Sequence, residues 1–178
     1  HAVTVTGDVC VVNGNPFPAN LASSIRKLGE RVANTSFDQT MEQIAYSWFN
    51  RIIAIRFMEL HEYLDHGRRV LSHPDRDEGY QILDECADLT FGEGGQLPHL
   101  SRDQVIELKL DATKEEALYR ELLLAQCHAL NSAMPFLFES VDDETELLLP
   151  ENLTKTDSLI GDLVREVPEG DWQEVEVL

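Results

Sequence analysis

Apolar positions along the chain form one short alternating stretch, followed by several stretches of helical period. Val3 to Val5 and Val9 to Val12 are β-branched runs on either side of Thr6-Gly7-Asp8, which predicts a short hairpin. In the next stretch, Asn13-Gly14-Asn15-Pro16-Phe17-Pro18, two prolines and a glycine argue against regular structure and predict a turn-rich segment. Leu21, Ile25, Leu28 and Val32 then recur at helical spacing, so an amphipathic helix is expected from Asn20 to about Val32.

Ser36 stands three residues before Gln39 in a capping-box pattern and opens the longest periodic stretch. Its apolar residues fall at 37, 41, 44, 45, 48, 49, 52, 53, 55, 57, 60 and 64, a stripe wider than one face of a surface helix can use. The segment from Phe37 to about His66 is therefore expected to be a central buried helix ending at Gly67. Residues 72–100, rich in glycine and proline, read as loop around one short helix near Tyr80 to Asp88, and Ser101 to Leu110 as another short helix. Thr113 and Glu116 form a second capping-box pattern ahead of Leu118, Leu122, Ala125, Leu130 and Met134, with Pro135 as the stop. Residues 139–153 run acidic and then leucine-rich, and Leu159, Leu163, Val164 and Val167 predict a last helix stopped by Pro168. The expected fold is mainly α: a β-hairpin and turn-rich lead-in over residues 1–18, then a helical domain with a long central helix over 19–178.

Charge divides the chain unevenly. The 178 residues carry a formal net charge of -19, which excludes a basic nucleic-acid sheath. Residues 1–72 hold seven basic residues (Arg26, Lys27, Arg31, Arg51, Arg56, Arg68, Arg69) and seven acidic ones, so the whole excess lies in 73–178. Cys10, Cys86 and Cys127 are far apart and odd in number, without thiolate-zinc spacing, which fits a reducing, cytoplasmic setting. No apolar run approaches the ~20 residues of a membrane helix. A first residue His1, and a last residue Leu178 that closes the apolar run Val175, Val177, Leu178, read as a piece cut from something longer.

Several short patterns could carry chemistry, and each has a plainer reading. Phe91-Gly92-Glu93-Gly94-Gly95 has the glycines that let backbone approach a methyl-donor cofactor, but such a turn follows a β-strand and Asp84 to Leu89 reads as a helix end. Asn15-Pro16-Phe17 is one proline short of an adenine-holding loop. Asp75 with Glu107 and Lys109 has the letters of a Mg²⁺-dependent nuclease, yet Glu107 and Lys109 fall in an expected helix rather than a strand. His61 and His66 are five apart, about 140° round a helix, where the zinc-protease spacing is four; a solvated helix end with His61 near Asp65 is the alternative. Arg51, Arg56, Arg68 and Arg69, close in sequence to Trp48, could form an edge that contacts DNA phosphates or another domain; arginines on a buried helix also pair with carboxylates such as Glu59 or Glu42.

Two longer stretches say more. Ile44-Ala45-Tyr46-Ser47-Trp48-Phe49-Asn50-Arg51, continuing through Ile55-Arg56-Phe57-Met58-Glu59-Leu60-His61-Glu62-Tyr63-Leu64 to Arg69-Val70-Leu71-Ser72-His73-Pro74, resembles a signature of PglX-type adenine-specific DNA methyltransferases of the BREX phage-exclusion systems. Leu122 to Cys127, Met134 to Glu139, Asp143 to Leu153, Asp157 to Ile160 and Asp171 to Glu176 are similar to the segment of that family upstream of its methyltransferase core. The resemblance spans about Phe37 to Leu178. It implies the N-terminal region of a large enzyme that transfers a methyl group from S-adenosylmethionine to adenine N6 in host DNA, with the cofactor fold and catalytic loop in later regions. No catalytic, cofactor-binding or metal residue carries over onto this chain. Expected partners are the enzyme's own methyltransferase domain, DNA through the full-length protein and other phage-defence proteins, without a membrane. The alternatives are an acidic protein-docking module of the defence complex and a nuclease domain.

Overall fold

Three short strands open the chain, β1 (Val3–Thr6), β2 (Val9–Val12) and β3 (Asn15–Pro18), in one antiparallel sheet of order β1-β2-β3. The computed structural model describes residues 3–138 and 144–173; the acidic run at 139–143 and the apolar end Val175, Val177, Leu178 lie outside them. Two units divide the chain, residues 1–49 with 140–149 and residues 50–139 with 150–178.

In the first unit the expected hairpin is a three-stranded sheet, because the segment read as irregular is its third strand. Val12 pairs with Asn15 across a two-residue loop in which Asn13 (φ 51) and Gly14 (φ 84) both have positive φ, the requirement of a type I′ turn. Counting outward from that hydrogen-bonded closing pair, Pro16 opposite Val11 and Pro18 opposite Val9 occupy the non-hydrogen-bonded positions of an edge strand. The missing proline N–H groups cost the ladder nothing there. One sheet face turns the buried Cys10 inward, while the other, Thr4, Thr6, Val9, Val11, Pro16 and Pro18, is wholly exposed.

Helix α1 (Ala22–Asn34) follows as predicted, and the Ser36 hydroxyl accepts from the Gln39 amide (3.2 Å) at the start of α2 (Phe37–Leu60). Within this unit Arg31 pairs with Glu144 (3.2 Å), and the Trp48 indole donates to the Thr145 carbonyl (2.8 Å) of the 3-10 turn Glu144–Leu148. Up to Asn50, α2 buries only Thr40, Ile44 and Trp48, leaving Phe37, Tyr46 and Phe49 exposed.

From Arg51 onward no residue of α2 is exposed, so the expectation of a buried helix holds for its second half alone. The helix also ends six residues before the predicted His66. Glu62 takes a left-handed conformation (φ 59) and the Tyr63 amide donates back to the Met58 carbonyl (2.9 Å), a Schellman stop built without glycine. The second unit continues with α3 (Gln81–Asp84), α4 (Arg102–Leu110), α5 (Glu115–Asn131) and α6 (Leu159–Glu166). Ser101 and Gln104 make a reciprocal capping box at α4. The box expected at Thr113 does not form. Asp111 accepts instead from the Thr113 amide and hydroxyl, bonds that hold its carboxyl below the usual range, while Glu116 accepts from the Leu153 amide (2.5 Å) and the Thr154 amide (3.0 Å). A tertiary anchor has outcompeted the local cap. Val70, Leu71, Ile82, Leu118, Leu122 and Ile160 are among the fully buried core residues of this unit.

Candidate functional site

The second half of α2 carries a charge pair into the core. Arg56 and Glu59 are one helical turn apart, so both point to the side covered by residues 70–72. The Glu59 side chain is 0% exposed and accepts four hydrogen bonds: Arg56 Nη1 (2.6 Å), the Val70 and Leu71 amides (2.7 Å each) and the Ser72 hydroxyl (3.0 Å). A carboxylate offers about four acceptor positions, so Glu59 is saturated. Arg56, 1% exposed, uses Nη1 for Glu59 and Ser72 (2.7 Å) and reaches Glu169 from Nη2 at 3.5 Å. Its Nε is buried without a partner. Arg69 holds the same Glu169 carboxylate at 2.6 Å.

Around this pair, aromatic and imidazole groups pin the loops. Tyr119 donates to the Val70 carbonyl and Tyr80 to the Leu153 carbonyl (2.9 Å each), with their rings stacked 4.1 Å apart. Burial pushes the Tyr119 phenol well above its ordinary value and raises Tyr80, so both remain protonated donors. His66 accepts the Arg68 amide at Nδ1 (3.0 Å), which leaves Nε2 carrying the proton that bonds Gln126 Oε1 (2.6 Å). Burial lowers the His66 pKa and keeps the ring neutral. The expected solvated helix end is thus wrong for His66, which is buried, and the His61 ring lies 4.2 Å from the Phe57 ring, tilted by 35°, while bonding the Trp172 carbonyl.

The five residues singled out from sequence part into two groups. Trp48, Arg51 and Arg56 are buried, with Arg51 Nε donating to the Leu137 carbonyl (3.2 Å). Arg68 and Arg69 are partly exposed and sit in ion pairs with Glu85 (3.1 Å) and Glu169 (2.6 Å). Glu59, Ser72, Glu116 and Glu169 carry the network and had not been singled out as site residues; an Arg-x-x-Glu spacing on an apolar helix was the available signal for the first of them.

The chain is similar to known proteins. It is 51% identical over 162 residues to the adenine-specific methyltransferase BrxX of Escherichia coli O9:H4 (strain HS), covering 91% of this chain and 13% of that protein. The chain is similar to a part of the BrxX and PglX adenine-specific methyltransferases. A second relative, the adenine-specific methyltransferase PglX of Lacticaseibacillus casei (strain Zhang), is 39% identical over 135 residues, 74% of this chain and 11% of that protein. The chain therefore spans only 13% and 11% of the curated relatives it matches. No family model matches it.

The short motifs with the letters of a cofactor turn, an adenine-holding loop and a nuclease site are used locally. Phe91 to Gly95 follows a 3-10 turn, Cys86–Asp88, not a strand, and its backbone closes on itself through Gly95 N to Gly92 O (2.9 Å) and Leu97 N to Thr90 O (3.1 Å). Gly95 is required there because a Cβ would stand 2.8 Å from Thr90 O. Asn15-Pro16-Phe17 is part of β3. Lys109 sits on α4 with its ammonium on the Leu83 carbonyl (2.7 Å). Among the described residues no group of three His, Cys, Asp or Glu could hold a metal ion, and no helix is long and apolar enough to cross a membrane.

Proposed function

We propose that the chain is a non-catalytic, helical N-terminal region of a BREX-type DNA methyltransferase. In this reading the whole enzyme moves the methyl group of S-adenosylmethionine to adenine N6 and marks host DNA as self in the cytoplasm. The observation that carries it is the 51% identity over 91% of the chain set against 13% of the relative. The polar groups support a scaffolding role. Glu59, His66, Tyr119 and Glu116 are occupied in holding loops rather than converging on an open centre.

The exposed apolar sheet face of Val9, Val11, Pro16 and Pro18 is suited to pack on later parts of the same enzyme. In the full-length methyltransferase, Val9→Glu with Val11→Glu should reduce adenine methylation several-fold while leaving the melting temperature of the 178-residue chain within about 2 °C. Unchanged methylation would reject this face as the contact.

In this reading DNA contact runs through the partly exposed Arg68 and Arg69 rather than the buried Arg51 and Arg56. Salt-dependent retention on duplex DNA that is lost in Arg68→Ala plus Arg69→Ala would support that contact. The second reading, an acidic docking module for other defence proteins, is favoured by one observation: the entire -19 excess lies in residues 73–178. It predicts no retention on DNA at any salt concentration.

A further inference from the structure

Residues 71–80 and 154–169 line a cleft of about 800 Å³ within the second unit, and Arg56 forms part of its wall. A guanidinium recognises oxyanions best with two parallel donors, and on Arg56 the Nη1 side is spent on Glu59 and Ser72. The remaining fork is the Nε and Nη2 edge. Nε has no partner and Nη2 has only Glu169, at 3.5 Å. A buried, half-satisfied guanidinium fork is costly to maintain, so its geometry calls for an oxyanion better placed than Glu169.

We propose that this cleft binds a small phosphate-bearing molecule whose phosphate displaces the Glu169 carboxylate and bridges the Arg56 Nε/Nη2 edge and Arg69. Glu169 is built to be displaced. Its side chain is 51% exposed, it lies on the short 3-10 turn Glu169–Trp172, and it already stands 2.6 Å from Arg69, so it acts as a tethered stand-in for the phosphate. Lys155 on the cleft wall supplies further positive charge for a second phosphate, while Arg76 and Arg165 are held in ion pairs with Asp84 and with Asp162 and Glu166. Asp77 and Glu78 keep the rest of the rim acidic, and Leu71, Tyr80 and Val164 supply an apolar surface for an organic body. Gly161 lets the chain close tightly at one wall, because a Cβ there would lie 2.6 Å from the Thr156 carbonyl. The phosphate belongs to a small ligand rather than a DNA backbone, because a guanidinium only 1% exposed lies beyond the reach of a duplex. This site is independent of the scaffolding role proposed above.

Calorimetric titration of the 178-residue chain with inorganic pyrophosphate tests the proposal, with circular dichroism melts to establish that each variant folds. The expected result is saturable binding that tightens at least threefold in Glu169→Gln, where the tethered competitor loses its charge, and weakens at least tenfold in Arg69→Ala. Both positions are partly exposed, so both variants should fold. No binding to the wild type and to Glu169→Gln overturns the proposal, as does binding that neither variant alters. A 20-base-pair duplex should fail to displace pyrophosphate; competition by the duplex would overturn the small-ligand reading.

Discussion

Replacing Glu59 by Gln tests the buried charge network at its centre. The carboxylate is fully buried and takes four donors, one of them from a guanidinium 1% exposed. Gln keeps the shape and one acceptor oxygen but turns an NH₂ donor toward groups that are themselves donors. Arg56 would then retain its charge with only the half-exposed Glu169 at 3.5 Å. Removing one partner of a buried ion pair costs about 3–5 kcal/mol, a large part of the roughly 5–15 kcal/mol that holds a domain together. With an m-value of about 2 kcal/mol per molar urea, the lower figure moves the unfolding midpoint down by about 1.5 M. Urea titration followed at 222 nm measures it. The loss should persist in 0.5 M NaCl, because a pair shielded from solvent is little screened. Glu59→Leu should cost more than Glu59→Gln, since it leaves the Val70 and Leu71 amides and the Ser72 hydroxyl without an acceptor as well as stranding the Arg56 charge. A Glu59→Gln loss below about 1 kcal/mol, or a Glu59→Leu variant more stable than Glu59→Gln, would refute the reasoning.

Three further outcomes follow from local geometry. The folded-state pKa of His66 is lowered by burial, so its contribution to stability is complete above the unfolded value of 6.5 and is lost as pH falls below it, at up to about 1.4 kcal/mol per pH unit. His66→Gln should flatten that arm of a melting-temperature profile, and an unchanged slope would contradict the neutral-ring assignment. Gly161→Ala should cost about 1–3 kcal/mol because the new methyl meets the Thr156 carbonyl at 2.6 Å. Gly29→Ala, in α1 with nothing within 4 Å, should instead stabilise by about 0.5–1 kcal/mol in the same melts.

Helical periods and caps were legible where they depend on neighbours in sequence. Leu21, Ile25, Leu28 and Val32 located α1, and Pro168 marked the stop after α6. Pieces decided by geometry at single residues were not. Asn13-Gly14 forms the hairpin turn, and the two prolines and the glycine that argue against regular structure in the sequence are compatible with a strand because Pro16 and Pro18 fall at non-hydrogen-bonded edge positions. Glu62 in a left-handed conformation ends α2 where no glycine announces a stop. Thr113 and Glu116 had the letters of a capping box, yet Glu116 is claimed by amides 37 and 38 residues away. The pairing of a buried-helix arginine with Glu59 is legible from their spacing, whereas a contact of Arg56 with a DNA backbone is not compatible with its burial, which sequence does not show. The cleft was not legible at all, since its walls come from segments more than 70 residues apart.

The central claim is that this chain supports a methyltransferase without holding its cofactor. Titrating S-adenosylmethionine into the 178-residue chain by calorimetry tests it most directly. The account predicts no saturable heat up to millimolar cofactor; micromolar binding would contradict it.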